Sequence, residues 1–320
     1  MTLYPELQRK NCLILGAGGF IGINLCLALK NAGANVIGYG RKSRYPEIFQ
    51  DIEFVNGNLN ESQKLANLMI DVDYVFHLLG DSSPGNSSLN PQLAIDTVKA
   101  SLELLDLCQA NNVQKIIFAS SGGAVYGKPT VLPIPETMNP SPINSYGINM
   151  LMIEKYLALY KHIHGLDYSI LRIANPYGKY QRNFKNQGII AAIIENGLKD
   201  QNIEIWGDGN VVRDFIHIDD VIAAFLKVAN YKGNQHLFNV GSGIGRSINN
   251  VVTDIETILN KGNITRIYKE SRKIDIPENY LNINLMKAEL NWQPKIDWQI
   301  GLASTAEWMQ HYLATAPKVS

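Results

Sequence analysis

An α/β fold built on a doubly wound parallel sheet, with a smaller mixed α/β region beside it, is what this sequence predicts, and three observations predict it. Short β-rich runs alternate with helical stretches through the first half of the chain, the pattern of βαβ units. Leu13-Ile14-Leu15 runs straight into Gly16, Gly19 and Gly22 and then into an apolar-periodic stretch, which is a strand, a tight turn and a helix start in one piece. The chain has 320 residues, enough for a large core, and a prior of about 150 residues per domain favours two regions.

The elements follow in order. Cys12 to Leu15 reads as the first strand, Ile21 to Asn31 as a helix and Asn35 to Tyr39 as the second strand. Later strands are expected at Glu53 to Val55, Tyr74 to Leu78, Lys115 to Ala119 and Tyr168 to Ile173, with helices at Pro91 to Asn111 and Tyr146 to His162. After Asn175 the pattern loosens into Gly- and Asn-rich turns around Lys179 to Gly188 and Gly207 to Asn210. The division expected is a sheet domain over residues 1–175 and 211–245, and a smaller region over 176–210 and 246–320. That region would close over the carboxyl edge of the sheet, where ligands of such folds bind.

Composition excludes several classes of function. Lys+Arg and Asp+Glu are both 29, so there is no basic excess to draw nucleic acid or an anionic membrane. The three cysteines, Cys12, Cys26 and Cys108, lie in apolar periodic surroundings without metal-ligand spacing; they read as small buried hydrophobes in a reducing cytosol, and no metal site is expected. Pro5, Glu6, Arg9 and Lys10 precede the first apolar run, unlike a signal peptide. No apolar run approaches the roughly 20 residues of a membrane span, so a soluble cytoplasmic protein is expected.

The glycine turn would present backbone N–H groups and the positive end of a helix to a pyrophosphate, and its glycines let phosphates come close to the backbone; this is the context required of a dinucleotide site. In NAD-binding folds an acidic residue about 20 residues on, at the end of the second strand, takes the adenosine ribose hydroxyls. Here the segment is Gly38-Tyr39-Gly40-Arg41-Lys42-Ser43-Arg44, with no acid. Arg41, or Lys42, Ser43 or Arg44, is suited to a 2′-phosphate by charge-assisted hydrogen bonds, so NADP(H) is favoured over NAD(H). A solvated basic turn is the plain alternative. Asn58 falls where the third strand ends, either touching adenine or simply turning the chain.

The strand Lys115 to Ala119 runs into Ser120-Ser121-Gly122-Gly123-Ala124-Val125-Tyr126-Gly127, and Ser145-Tyr146-Gly147 opens a later helix. Together with Gly16, Gly19, Gly22 and Val75-Phe76-His77-Leu78, these blocks resemble the extended short-chain dehydrogenase/reductase family. Leu171-Arg172 with Asn175-Pro176-Tyr177-Gly178, Gly207-Asp208-Gly209 with Arg213-Asp214-Phe215-Ile216-His217, and Phe238-Asn239-Val240-Gly241 resemble its nucleotide-sugar branch. The blocks cover nearly the whole chain in the family's order. The resemblance implies a Rossmann sheet and an oxidoreductase that takes a nucleoside-diphosphate sugar, with a tyrosine as acid or base and a lysine one helical turn on.

Tyr146 matches that tyrosine, whereas the lysine position is Met150. A phenol has a pKa of about 10 and is a poor base near neutrality. A lysine charge ~4 Å away would contribute ~4 kcal/mol at an effective dielectric of ~20, roughly three pKa units. Methionine keeps the length and shape but offers neither charge nor donor. Two readings stay open: an engineered replacement that stalls turnover, or a natural chain that works without the lysine, slowly or not at all. The family's Ser or Thr position falls at Gly122, so Ser121, with Ser120 behind it, is the expected substrate hydrogen-bond donor, strand-end capping being the alternative.

By the same resemblance the cofactor contacts are Gly16, Gly19, Phe20, Ile21, Gly22, Arg41, Asn58, Leu78, Tyr146 and Pro176, and the substrate contacts are Ser121, Asn175, Trp206, Arg213 and Arg272. Arginines suit phosphate oxygens because their geometry is bidentate. Trp206 stands at the aromatic position for the base, His217 is expected to be structural, and His162 and His164 to lie on the surface. The helices from Leu93 and from Tyr146 carry apolar stripes that in the family pack across a homodimer axis. A reductase or dehydrogenase acting at sugar C4 leads, with a 4-epimerase and a non-catalytic nucleotide-sugar or NADP(H) binding protein as alternatives. A dehydratase is disfavoured because its Asp-Glu positions are Gly123 and Ala124.

Overall fold

The structure is a computed structural model, and it describes residues 4–78, 91–182, 188–262, 264–271 and 276–315, with backbone alone over 91–94. Strands β1 (Asn11–Leu15), β2 (Asn35–Gly40), β3 (Glu53–Asn56), β4 (Tyr74–His77), β5 (Lys115–Ser121), β6 (Tyr168–Ile173) and, later, β10 (Leu237–Val240) form a seven-stranded sheet in the order β10-β6-β5-β4-β1-β2-β3. Every pair in it is parallel. Strands covered on both faces lose the polar alternation of half-exposed ones, which is why β4 and β6 are buried along their whole length. The order reverses between β1 and β4, and a doubly wound sheet opens its ligand crevice at such a switch point.

Helices cover both faces. Among the described residues, α1 (Phe20–Asn31) packs on one face with the later helix α6 (Ile218–Ala229), while α2 (Ser62–Leu68), α3 (Pro91–Ala110) and α4 (Ser145–His164) cover the other. Asn144 caps α4, its side chain accepting from the Gly147 N–H at 2.8 Å, and Gly165 closes the helix in the left-handed conformation that its φ of 74° requires. The cap fixes where the helix begins and so places Tyr146 in its first turn.

The smaller region has its own core, made by α5 (Ile189–Leu198), α7 (Ile248–Ile258) and α8 (Trp298–Thr315) around the paired strands β8 (Ile203–Trp206) and β12 (Arg266–Lys269). A four-stranded sheet of β7 (Asn175–Tyr177), β9 (Val212–His217), β11 (Gly245–Ser247) and β13 (Glu278–Asn279) lies between. The stretch 211–245 thus serves both sheets, β9 in the small one and β10 in the large one. Asp214 on β9 is fully buried and accepts from the Ser242, Gly243 and Leu281 N–H groups at 2.7 to 3.2 Å, tying three segments together. Tyr45, just beyond β2, sits in an aromatic box of Tyr180, Trp308 and Tyr312, with ring centroids 5.2 to 6.2 Å away.

All three cysteines are buried and unpaired, and burial pushes the Cys12 and Cys26 thiols up to about 12, so they stay protonated and inert. His162 and His164 are exposed on the last turn of α4. Among the described residues no helix is long and apolar enough to cross a membrane, and no group of His, Cys, Asp and Glu could hold a metal.

Candidate active site

The glycine turn lies at the sheet's switch point and is shaped by its neighbours. Gly16 has a φ of 91°, and a Cβ there would lie 3.1 Å from the Leu78 backbone, which is how the end of β4 is brought against the turn. At Gly22 a Cβ would lie 2.7 Å from the Ala17 Cα and overlap the Gly16 carbonyl oxygen, so helix and turn can meet only through glycine. No side chain caps α1, whose N-cap is Gly19; its first-turn N–H groups are left for an external acceptor, with the helix dipole adding to the attraction. Phe20 and Ile21 are half-buried against the core beneath. We expect Gly22→Ala to weaken dinucleotide binding at least tenfold while the protein stays folded, as read by fluorescence titration with NADPH.

The loop after β2 comes back over this turn. A Cβ on Gly18 would be 2.9 Å from the Arg41 carbonyl oxygen and 3.3 Å from the Ser43 Cα. Ser43 is buried and its hydroxyl accepts from the Tyr45 N–H, whereas Arg41, Lys42 and Arg44 stay exposed. No acid stands between Gly38 and Arg44. Asn58 turns the chain: its Oδ1 accepts from the Asn60 N–H and its carbonyl from the Tyr39 hydroxyl.

Ser121 and Tyr146 meet. Ser121 is the last residue of β5 and Tyr146 lies in the first turn of α4, and their side chains are hydrogen-bonded. Burial raises the Tyr146 phenol above its ordinary range, and the Ser121 hydrogen bond offsets part of that rise. Met150, one turn on, is 2 % exposed and packs into the apolar layer shared with Val98, Leu104 and Ile153. Ser120 points elsewhere: its hydroxyl donates to Glu154 Oε1 at 2.5 Å, inside the fold. Gly122 and Gly123 follow the strand, and a Cβ at Gly123 would meet nothing nearer than the Ser121 hydroxyl, 3.9 Å off.

Two openings of the smaller region are lined by residues expected at the substrate site. A cleft of about 980 Å³ is lined by Trp206, Gly207, Asp208, Asn210, Tyr268, Lys269 and Ser271. Trp206 and Tyr268 are 44 % and 51 % exposed, an unusual display for rings of that size. A smaller pocket of about 120 Å³ is lined by Asn175, Pro176, Gln181, Gly188 and the start of α5, which no side chain caps. Asn175, in the lining of this pocket, gives its Nδ2 to the Asp214 carbonyl at 2.9 Å. Arg213 places one guanidinium nitrogen on the Val212 and Ile276 carbonyls at 2.9 and 2.7 Å, so part of its donor fork is spent on holding backbone. Arg272 lies outside the described residues.

His217 is buried at the start of α6, its Nδ1 accepting from the Asp219 N–H, as a structural residue would. His77 is buried too; its Nε2 pairs with the Ser101 hydroxyl at 2.9 Å, and burial takes its pKa down to about 4, so the ring is neutral. Sequence reasoning missed Tyr268, whose only signal is an aromatic in a short charged strand, and Glu154, which reads as a surface residue in mid-helix.

The model of the NAD dependent epimerase/dehydratase family matches residues 12–241. A putative UDP-glucose 4-epimerase of Methanocaldococcus jannaschii is 33% identical over 308 residues, 93% of this chain and 98% of that one. A dTDP-4-dehydro-6-deoxyglucose reductase of Escherichia coli is 31% identical over 302 residues, 91% and 95% of the two chains. Among solved structures, UDP-glucose 4-epimerase of Thermotoga maritima with UDP-glucose superposes with a TM-score of 0.90 at 33% identity, covering 95% of this chain and 99% of that chain.

Proposed function

The chain belongs to the NAD dependent epimerase/dehydratase family, and from that premise we propose that it is an NADP(H)-dependent reductase of a nucleoside-diphosphate 4-keto sugar. The observation that carries the direction is the pairing of Tyr146 with Ser121 above a methionine. With Met150 in place of an ammonium, burial keeps the phenol protonated at neutral pH, which suits it to giving a proton and not to taking one. A reductase needs only the gift. An epimerase must first remove a hydroxyl proton from the same carbon's substituent, the step for which a neutral phenol is least fitted.

The residues fit a nicotinamide dinucleotide. The glycine cradle at Gly16, Gly19 and Gly22 and the uncapped start of α1 would hold its pyrophosphate. Leu78, whose backbone would lie 3.1 Å from a Cβ on Gly16, would border the dinucleotide together with Pro176 and Asn58, and Arg41 would take a 2′-phosphate that an acidic residue would repel. When bound, the nicotinamide supplies the two electrons and hydrogen that C4 receives. The Ser121 hydroxyl then orients the carbonyl oxygen, and Tyr146 delivers its proton as that oxygen gains charge. Arg41→Ala is expected to weaken NADPH binding by about ten- to a hundredfold and leave NADH within twofold, the loss of one charge-assisted contact; equal losses for both would place the 2′-phosphate elsewhere.

On the substrate side, the exposed Trp206 and Tyr268 suit a base, and Asn175, Arg213 and the amides at the start of α5 suit a diphosphate. A homodimer is part of the reading: Ile148, Met152, Leu159 and Ile163 are exposed at helical spacing on α4, and Ile95 on α3 is 57 % exposed. The buried, protonated thiols are consistent with a reducing cytoplasm.

A second reading, the 4-epimerase, is favoured by the names of the Methanocaldococcus and Thermotoga relatives. Incubation with NADPH and a panel of 4-keto and 4-hydroxy nucleotide sugars separates the two. Loss of absorbance at the reduced-nicotinamide band supports reduction, and a changed sugar without that loss supports epimerisation. Binding with neither makes the chain a nucleotide-sugar binding protein.

A further inference from the structure

Beneath Ser121 and Tyr146 lies a closed polar network. Arg172 on β6 and Glu154 on α4 are each 3 % exposed and form a two-pronged pair, Nε to Oε1 at 3.0 Å and Nη2 to Oε2 at 2.6 Å. Ser120 donates to the same Oε1. The guanidinium lies 4.5 Å over the Tyr126 ring, and the Tyr126 hydroxyl donates to Asn239 Oδ1 at 2.7 Å. Every group here is satisfied except Arg172 Nη1.

The pattern matters because of which elements it joins. Ser120 and Ser121 are consecutive on β5, and Glu154 and Tyr146 lie on one helix, two turns or about 12 Å apart at 1.5 Å per residue. The strand end is therefore pinned to the helix at two points: Ser120 to Glu154 in the interior, Ser121 to Tyr146 at the crevice. A single contact would let the helix slide or turn against the strand, and two do not. Buried ion pairs are poor sources of stability because desolvation offsets their attraction, so a full pair with an additional serine donor is better explained by register than by strength.

We propose that Glu154, held by Arg172 and Ser120, is the positioning residue that fixes α4 against the end of β5 so that the Ser121 and Tyr146 hydroxyls converge on one substrate oxygen. This rests on the reading of Tyr146 as proton donor and adds a residue that touches neither substrate nor cofactor.

The discriminating variant is Ser120→Ala, which leaves the Arg172–Glu154 pair intact and so keeps the protein folded. It is expected to lower kcat about ten- to thirtyfold with KM within twofold, since a displacement of about 1 Å can cost a hundredfold. Ser120→Thr restores the donor and most of the rate, and Ser120→Ala costs nothing further on a Tyr146→Phe background, because both act through one contact. Glu154→Gln puts an amide donor against Arg172 and is expected to lose more, about a hundredfold. A readout independent of turnover is the 13Cζ resonance of Tyr146 in tyrosine-labelled protein, assigned by its absence in Tyr146→Phe. It is expected to move in Ser120→Ala and return in Ser120→Thr. The proposal is overturned if Ser120→Ala keeps kcat within twofold and that resonance in place, or if its loss adds in full to that of Tyr146→Phe. If the unaltered protein reduces no nucleotide sugar, the functional reading fails on its own and the resonance decides the positioning role.

Discussion

Met150→Lys raises turnover in the oxidative direction by about two to three orders of magnitude and moves that direction's pH profile toward neutrality. An ammonium ~4 Å from the phenol favours its ionised form by ~4 kcal/mol at an effective dielectric of ~20, or roughly three pKa units. The first turn of α4 already gives Tyr146 the positive end of a helix, but that is worth only about 0.3–1 kcal/mol. The sign follows from the charges. Burial without a cation raises the Tyr146 pKa, and in the oxidative direction activity needs the phenolate, so it rises only at alkaline pH in the native protein. A nearby lysine stabilises the phenolate and brings that rise down by about one to three units. Because Met150 is 2 % exposed, the introduced ammonium must be partly desolvated, and a stability loss of about 1–3 kcal/mol is expected beside the gain in rate. Steady-state rates between pH 6 and 10, measured with a melting curve for each protein, test this. A profile that does not move would mean that the side chain at 150 does not act on the phenol.

Tyr146→Phe abolishes most turnover and leaves binding alone. General acid catalysis by a positioned group contributes about 10²- to 10⁴-fold, and the ring without its hydroxyl still fills the same half-buried site against the apolar layer of α3 and α4. Removing the hydroxyl takes away the acceptor of the Ser121 hydrogen bond and leaves Ser121 to bond with water or substrate, a net change of about 1 kcal/mol in stability. The expected result is a loss of single-turnover rate in that range, with NADPH and nucleoside-diphosphate affinities within twofold. If the rate survives within tenfold, the proton comes from another group and Ser121 is the first to examine. A parallel loss of affinity would instead place the phenol among the binding groups.

The parts of this fold that depend on neighbouring residues are legible in the sequence. The run from β1 through the glycine turn to α1 is read correctly because apolar runs, glycine spacing and helical periodicity are all local, and the structure extends β1 and α1 by only a residue at one end. The strand expected to end at Ala119 continues to Ser121, since pairing with β6 carries the ladder on. Ser120 and Ser121 are indistinguishable as letters and differ only in which partner each one meets. Glu154 and Arg172 are far less accessible to sequence reasoning. Each charge is unexceptional, and only the juxtaposition of α4 with β6 turns two ordinary residues into a buried pair. The same holds for the pairing of β8 with β12, which sets Tyr268 opposite Ile205 and so brings it to the cleft that Trp206 also lines, across a long separation in sequence. Arg213, expected as a diphosphate clamp, also fastens the Val212 and Ile276 carbonyls, a duty that follows from the arrival of β13 beside β9.

The double service of residues 211–245 has a consequence for how the molecule can be divided. β10 closes the flank of β6, whose six residues are all buried, and the chain reaches β10 only after passing through β9. A polypeptide cut after Asn175 would therefore leave a long apolar rim with open N–H and carbonyl groups, the kind of border that recruits other chains into aggregates. Heredity and recombination would have to handle this gene as one piece, and shuffling its two halves with those of a cousin would succeed only where the crossing strand travels with both.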